Sequence, residues 1–154
     1  MDFLEKVEQL YGNLIITPAI YDEVVKEGIE RGKPDAFIIE KKIQQKKISI
    51  HQIEGTVPDF PLGRGEIEII HEALNEKVIA FIDEKKARVI GSKLGLEVKN
   101  IPLILIEGLL TKQIELSEFD TFFRKWILVS SPPQEQIHFL TQIKNAIIGE
   151  HKND

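Results

Sequence analysis

The sequence predicts an α/β fold with a largely parallel sheet that is covered by helices on both faces. Short apolar stretches such as residues 78–82 alternate with longer segments whose apolar residues recur at helical spacing. Capping residues and helix breakers separate these stretches, as at Gly12 and at Thr17 with Pro18. No repeat or internal boundary interrupts the 154 residues, so we expect a single domain over residues 1–154.

Each element follows from a local signal. Helices are predicted where apolar residues recur at helical spacing after a cap or a proline, and strands where short apolar runs occur. The predicted helices cover residues 3–11 and 18–28, a segment after Pro34, a segment after Gly63, residues 84–93, a segment after Asn100, a segment capped by Ser117 and a segment after Pro133. The predicted strands are residues 13–17, 48–50 and 78–82 and a brief strand at Val98. Residues 54–62 are a loop, residues 125–129 fit a strand or a helix end, and residues 150–154 are a polar tail.

Composition limits the chemistry. The formal net charge of −5 argues against a DNA-coating protein, although a local basic patch is compatible with it. The chain has no cysteine, which excludes disulfides, thiolate metal sites and cysteine nucleophiles. No two of the four histidines have metal-ligand spacing, so we do not expect a zinc site. The longest apolar runs are too short to span a bilayer and no signal peptide is recognisable, so we expect a cytoplasmic protein without membrane contact.

Glu66 is the most informative acid. On the helix after Gly63 it shares a face with Ile70 and Ala73, where an unpaired carboxylate costs on the order of 1–3 kcal/mol. That position favours a functional role, but Glu66 also fits the capping glutamate of a helix whose N-cap is Gly63. The other acids of this helix are predicted on the opposite side: Glu68, Glu72 and Glu76.

Two further acids lie near positions where a site could form. Asp83 follows the strand at residues 78–82, and ligands of parallel sheets bind beyond the carboxyl ends of strands. Asp83 also fits a helix N-cap, with Glu84 as a solvated first-turn acid. Glu23 lies at the edge of the apolar face of the helix after Pro18, where a solvated flank is the alternative.

Three segments together resemble the PIN domain-like proteins, in a subfamily related to the VapC-type toxin nucleases. They are LIITPAIYDEV at residues 14–24, LGRGE at residues 62–66 and FIDEKKAR at residues 81–88, and LLTK at residues 109–112 resembles the carboxyl end of the subfamily. The resemblance implies a Rossmann-like parallel sheet flanked by helices, with a helical C-terminal end. It also implies an endoribonuclease that depends on Mg²⁺ or Mn²⁺, with RNA as substrate and an antitoxin protein as partner.

The resemblance assigns a role to three acids, and three cations near them are candidates for a second role. It implies that three acids hold the metal and act in catalysis: Glu23, Glu66 and Asp83. Candidates for contact with the phosphate backbone are the nearby cations Arg64, Lys85 and Lys86.

This chain differs from the family pattern at its N-terminus. Members of the family begin with a hydrophobic strand that ends in an aspartate, whereas Met1 falls near the helix that follows it, so we expect a domain truncated relative to the family. Two functions therefore stay open, a metal-dependent endoribonuclease and a catalytically inactive module that binds RNA or a partner protein. Since a sheet without that strand would expose edges and apolar surface, we also expect a homodimer. A phospho-receiver domain has the same fold class but needs an acidic pair and a late lysine that the sequence lacks.

Overall fold

A computed structural model describes residues 2–151, and the side chains of residues 2–150. The chain divides into two compact units, one that ends at Val98 and one that begins at Lys99. The predicted polar tail extends beyond the described residues, and its first two residues belong to the last helix.

The elements of the first unit follow the predicted order. The strands are β1 (Leu14–Ile16), β2 (Ile48–Ile50), β3 (Ala80–Phe81) and β4 (Val98–Lys99), within which the boundary between the units falls. The helices are α1 (Phe3–Tyr11), α2 (Pro18–Ile20), α3 (Glu27–Glu30), α4 (Pro34–Gln44), α5 (Arg64–Glu76) and α6 (Lys85–Lys93). A π-helical segment, Tyr21–Lys26, joins α2 to α3, so that residues 18–30 form one helical run.

The strands form two small sheets. Strand β1 pairs with β2 in parallel, with Leu14 opposite Ile48 and Ile16 opposite Ile50. Strand β3 pairs with β4, and the Ala80 N–H donates a hydrogen bond to the Glu97 carbonyl at 2.9 Å. The α/β class is confirmed, but the described strands form two two-stranded sheets instead of one continuous sheet, and the strand predicted over residues 78–82 is reduced to two residues.

Local capping signals fix most helix ends. Gly12 ends α1 with a φ of 85°, and Gly63 is the N-cap of α5, as predicted. Asn100 caps the helix Ile101–Leu110 (α7) by accepting a hydrogen bond from the Leu103 N–H at 3.1 Å. The predicted cap at Ser117 is wrong, because the N-cap is Glu115, whose N–H donates to the Glu118 carboxylate at 3.0 Å.

The core of the first unit lies between α5, β3 and α6. Its buried members are Ile70, Ala73, Ala80, Ile82 and Ala87. Because apolar burial is the main favourable term in folding, this core fixes the start of α5 beside the end of β3. Glu66 and Asp83 lie at those two ends.

The second unit is helical, in agreement with the helical C-terminal end that was predicted. It contains α7 (Ile101–Leu110), α8 (Leu116–Ser130) and α9 (Gln134–His151), and α7 packs against both other helices. Residues 125–129 are a helix end, since they belong to α8. None of the helices within residues 2–151 is both long and apolar enough to cross a bilayer.

Candidate active site

A cleft of about 330 Å³ opens in the first unit between the helical run of residues 18–30, the start of α5 and the end of β3. Its apolar wall includes Ile20, Val24, Ile69 and Phe81. Its acidic rim is formed by Glu23, Glu66, Asp83 and Glu84. The structure therefore brings the three acids named from the sequence to one cleft, although they come from three separate elements.

Glu23 lies in the π-helical segment, and its side chain is exposed. Such segments are rare and are frequent at functional sites, because the extra residue changes the direction of the side chains that follow it. The start of α5 approaches closely at Gly65. A Cβ at that position would lie 3.0 Å from Ile20 Cδ1 and 3.6 Å from Glu23 Oε2, so a glycine allows the two helices to meet here.

Glu66 is the third residue of α5 and is half-buried. Its carboxylate turns back over Gly63, where Oε2 occupies the space that a Cβ of residue 63 would need. The expected N-cap Gly63 is present, yet the Glu66 carboxylate forms no hydrogen bond to the described part of the chain. The capping glutamate that was the alternative role for Glu66 is therefore not observed.

Asp83 follows β3 after one intervening residue and is exposed. The N-cap of α6 is the next residue, Glu84, whose carboxylate accepts a hydrogen bond from the Ala87 N–H at 2.7 Å. Hydrogen bonds from the backbone of Ala87 and then of Lys86 hold the pKa of Glu84 below its usual value. The alternative role of Asp83 as a cap is thus wrong, and its carboxylate remains available at the cleft.

The partners of the acids around the cleft separate them into two groups. Asp22 is bound to Lys26 at 2.5 Å, and this hydrogen bond lowers the pKa of Asp22. Glu68 is bound to Arg64 at 2.8 Å, and Glu84 serves as a cap. Within residues 2–150, by contrast, no hydrogen bond or ion pair is formed by the carboxylates of Glu23, Glu66 and Asp83. Three uncompensated negative charges therefore surround one cleft, which is an arrangement that favours a bound cation.

The three cations named from the sequence differ in their availability. The Arg64 guanidinium is bound to Glu68 and lies 3.9 Å from Asp22 Oδ2. Lys86 donates a hydrogen bond to the Pro61 carbonyl at 2.9 Å. The Lys85 side chain is exposed and has no partner in the described part of the chain, so it is the most available of the three for a phosphate.

Two acids of α5 are not where the sequence placed them. Glu68 and Glu72 were predicted on the side opposite the apolar face, but they are buried, with 6% and 7% of their surface exposed. Specific partners explain this burial: Glu68 accepts a hydrogen bond from the Ala19 N–H at 2.8 Å, and Glu72 lies 2.7 Å from His51 Nδ1. The middle of α5 is covered on more than one side, so it has no single solvent face.

His51, Glu72 and Glu76 form a cluster that the sequence did not reveal. One ligand atom from each residue lies within 4.8 Å of the others, a separation that could accommodate a metal ion. Glu23, Glu66 and Asp83 do not form such a close group among the described residues. The only sequence signal for the cluster is the four-residue spacing of the two glutamates, because His51 joins them from a distant segment.

The first unit is a small α/β unit with unpaired carboxylates at the end of a strand and the start of a helix, where parallel α/β proteins commonly bind ligands. The family model described as PIN domain matches residues 1–129, and this chain belongs to the PIN domain family. The prediction of a PIN domain-like protein is thereby confirmed. Membership indicates a nuclease that acts with a divalent metal and binds RNA. Comparison with curated proteins and with solved structures found no match.

Proposed function

We propose that this protein is an endoribonuclease of the VapC-like type that cleaves RNA phosphodiester bonds with Mg²⁺ or Mn²⁺. The observation that carries the proposal is the set of three unpaired carboxylates around one cleft: Glu23, Glu66 and Asp83. No hydrogen-bond or ion-pair partner among the described residues gives these three carboxylates a structural role, which favours a role in holding a cation. The neighbouring acids Asp22 and Glu68 each have such a partner.

In this proposal Glu66 and Asp83 are the principal metal ligands. Both lie at ends of elements that pack on the same core, so their backbones are held in place before a metal binds. Glu23 completes the set from the opposite side of the cleft. A bound divalent metal would lower the pKa of a water molecule and stabilise negative charge on the phosphate.

The cations beside the cleft would hold the phosphate backbone of the RNA. Lys85 is the strongest candidate, because its ammonium group is exposed and unpaired among the described residues. Lys86 would have to release the Pro61 carbonyl, and Arg64 shares its charge with Glu68 and Asp22. Arg64 would therefore have to weaken its contacts with these acids before it could bind a phosphate.

The proposal is tested by cleavage of a labelled single-stranded RNA in Mn²⁺ and in EDTA. We expect metal-dependent cleavage that falls about 100-fold or more in Glu66→Gln and in Asp83→Asn, because each change removes a charge at the reacting phosphate. The matched control is Asp59→Asn, which alters an exposed acid outside the cleft and should keep full activity. Full activity in Asp83→Asn would refute the assignment of the site.

The second function is a catalytically inactive module that binds RNA or a partner protein. It is favoured by one observation, namely that the three acids are not as close together as His51, Glu72 and Glu76, so a metal would have to draw them together. RNA binding without cleavage at millimolar Mn²⁺ would select this function.

The proposal extends to protein partners. The resemblance to toxin nucleases favours an antitoxin that inhibits the enzyme, and a homodimer remains our expectation for the chain itself. In the second unit Leu128 and Val129 have 75% and 85% of their surface exposed, which offers an apolar patch for such a partner.

A further inference from the structure

Glu68 is a buried carboxylate that joins the two helical elements on which Glu23 and Glu66 lie. Only 6% of its surface is exposed. Its Oε2 accepts a hydrogen bond from the Ala19 N–H at 2.8 Å, and its Oε1 accepts one from Arg64 Nε, also at 2.8 Å. Both carboxylate oxygens are therefore engaged, each with a residue close to the cleft.

The bond to Ala19 takes the place of an ordinary helix cap. Thr17 is the N-cap residue of α2, but its side chain makes no capping bond, and its hydroxyl is buried without a partner among the described residues. Pro18 has no N–H, so Ala19 provides the first free N–H of the helical run. The Glu68 carboxylate satisfies that donor and lies at the positive end of the helix dipole. The helical run is thus anchored at its start by α5 and not by its own cap.

This anchor fixes the side of the cleft that carries Glu23. Ala19 and Glu23 are four residues apart in the same helical run, so holding one positions the other about one turn away. The two elements also meet at Gly65, where a Cβ would lie 3.0 Å from Ile20 Cδ1. With Glu66 two residues before Glu68 on α5, the bond from Glu68 to Ala19 links the two elements whose carboxylates face each other.

The second oxygen of Glu68 directs Arg64. The Arg64 side chain is 69% exposed, yet its Nε donates a hydrogen bond to Glu68 and its Nη1 lies 3.9 Å from Asp22 Oδ2. Arg64 therefore leans toward the helical run instead of extending freely into solvent. Loss of the Glu68 charge would weaken the contacts that hold the start of the run and the arginine.

We propose that Glu68 is a positioning residue, which sets the separation of Glu23 and Glu66 across the cleft and aims Arg64. The role as it applies to metal binding rests on the proposed nuclease function. Residues that orient metal ligands without touching the metal typically change metal affinity by about 10- to 100-fold when they are replaced. We expect an effect in this range from Glu68.

The test compares Glu68→Gln with Glu8→Gln. A carboxamide has one acceptor oxygen, so Glu68→Gln keeps at most one of the two bonds and turns an NH₂ group toward the other donor. Glu8 is the matched control, because its carboxylate also bridges two elements of the first unit, through Lys42 at 3.3 Å, but it lies outside the cleft. Both variants lose one carboxylate, and both should unfold at a somewhat lower temperature.

Two measurements distinguish positioning from a general loss of stability. Amide hydrogen exchange of the metal-free protein should become roughly tenfold or more faster at Ala19 in Glu68→Gln only, since the acceptor of the Ala19 N–H loses its charge there. The Mn²⁺ concentration that gives half-maximal RNA cleavage should rise about tenfold or more in Glu68→Gln and stay within about twofold of wild type in Glu8→Gln.

Equal exchange at Ala19 in both variants would overturn the positioning role. So would an unchanged Mn²⁺ requirement in an active Glu68→Gln enzyme. If the wild-type protein does not cleave RNA but exchange at Ala19 rises selectively, the nuclease function is refuted and the anchoring of the helical run by Glu68 is supported. The experiment therefore distinguishes a failure of the nuclease function from a failure of the positioning role of Glu68.

Discussion

A close approach of two helices in the first unit gives a prediction of how one substitution changes the free energy of unfolding. Gly28 lies in α3, near the end of the helical run that carries Glu23, and faces the buried Ala36 of α4. A Cβ at residue 28 would lie 2.6 Å from the Cβ of Ala36, and neither methyl group could rotate away. In Gly28→Ala the helices must separate, at a cost near the upper end of the roughly 1–3 kcal/mol typical of overpacking. The higher helix propensity of alanine returns about 1 kcal/mol, so we expect a net loss of about 2 kcal/mol.

The assay is urea unfolding followed by circular dichroism, with Gly28→Ala, Ala36→Gly and the double variant compared with wild type. Ala36→Gly alone should also destabilise, because it leaves a cavity and lowers helix propensity. The double variant moves one methyl group across the same contact, so the propensity changes cancel and its stability should return to within about 1 kcal/mol of wild type. A Gly28→Ala protein at least as stable as wild type, or single effects that simply add in the double variant, would refute the close contact.

Two further changes test the charged groups of the first unit. His51→Ala should lower the free energy of unfolding by about 1–3 kcal/mol, because it leaves the buried Glu72 carboxylate without its partner, whereas His138→Ala, at an exposed position, should have little effect; equal urea midpoints for the two variants would contradict this. The lowered pKa of Glu84 means that its stabilising contribution is present above the pKa of the unfolded chain and is lost as pH falls through the folded-state pKa. Glu84→Gln should therefore lose less stability than wild type between about pH 6 and about pH 3, as measured by urea midpoints, and parallel losses would show that the cap contributes nothing.

The features that the sequence predicted well depend on residues close together in the chain. Gly12 ends α1, Pro18 begins α2 and Gly63 precedes α5, because each signal acts within one helical turn. The short strands were also found in the predicted order, with β3 reduced to two residues. The π-helical segment at Tyr21–Lys26 could not have been predicted, since its residues have an ordinary helical pattern and the extra residue is accommodated by tertiary packing.

The burial of Glu68 and Glu72 shows where local pattern fails. A prediction from the spacing of apolar residues places every acid on the solvent face of a helix. A carboxylate can nevertheless be buried when a hydrogen-bond donor or a cation compensates its charge. The donor for Glu68 is the Ala19 N–H, 49 residues earlier in the chain, and the partner of Glu72 is His51, 21 residues earlier. Because these partners are far away in the sequence, the residues within one helical turn do not reveal them. The buried face of α5 is therefore wider than the face predicted from Ile70 and Ala73.

The same reasoning explains why the candidate site could be named from the sequence only in part. Asp83 and Glu84 are adjacent acids before α6, and either could serve as its cap on the basis of residue type. In the structure Glu84 takes the Ala87 N–H, which leaves Asp83 as the free carboxylate at the cleft. Among the acids at the cleft, a candidate metal ligand is thus distinguished from a structural acid by whether its charge is already satisfied. That property depends on every neighbour at once, and it is the reason that Glu66 and Asp83, and not the equally acidic Glu68 and Glu84, are the residues to replace first.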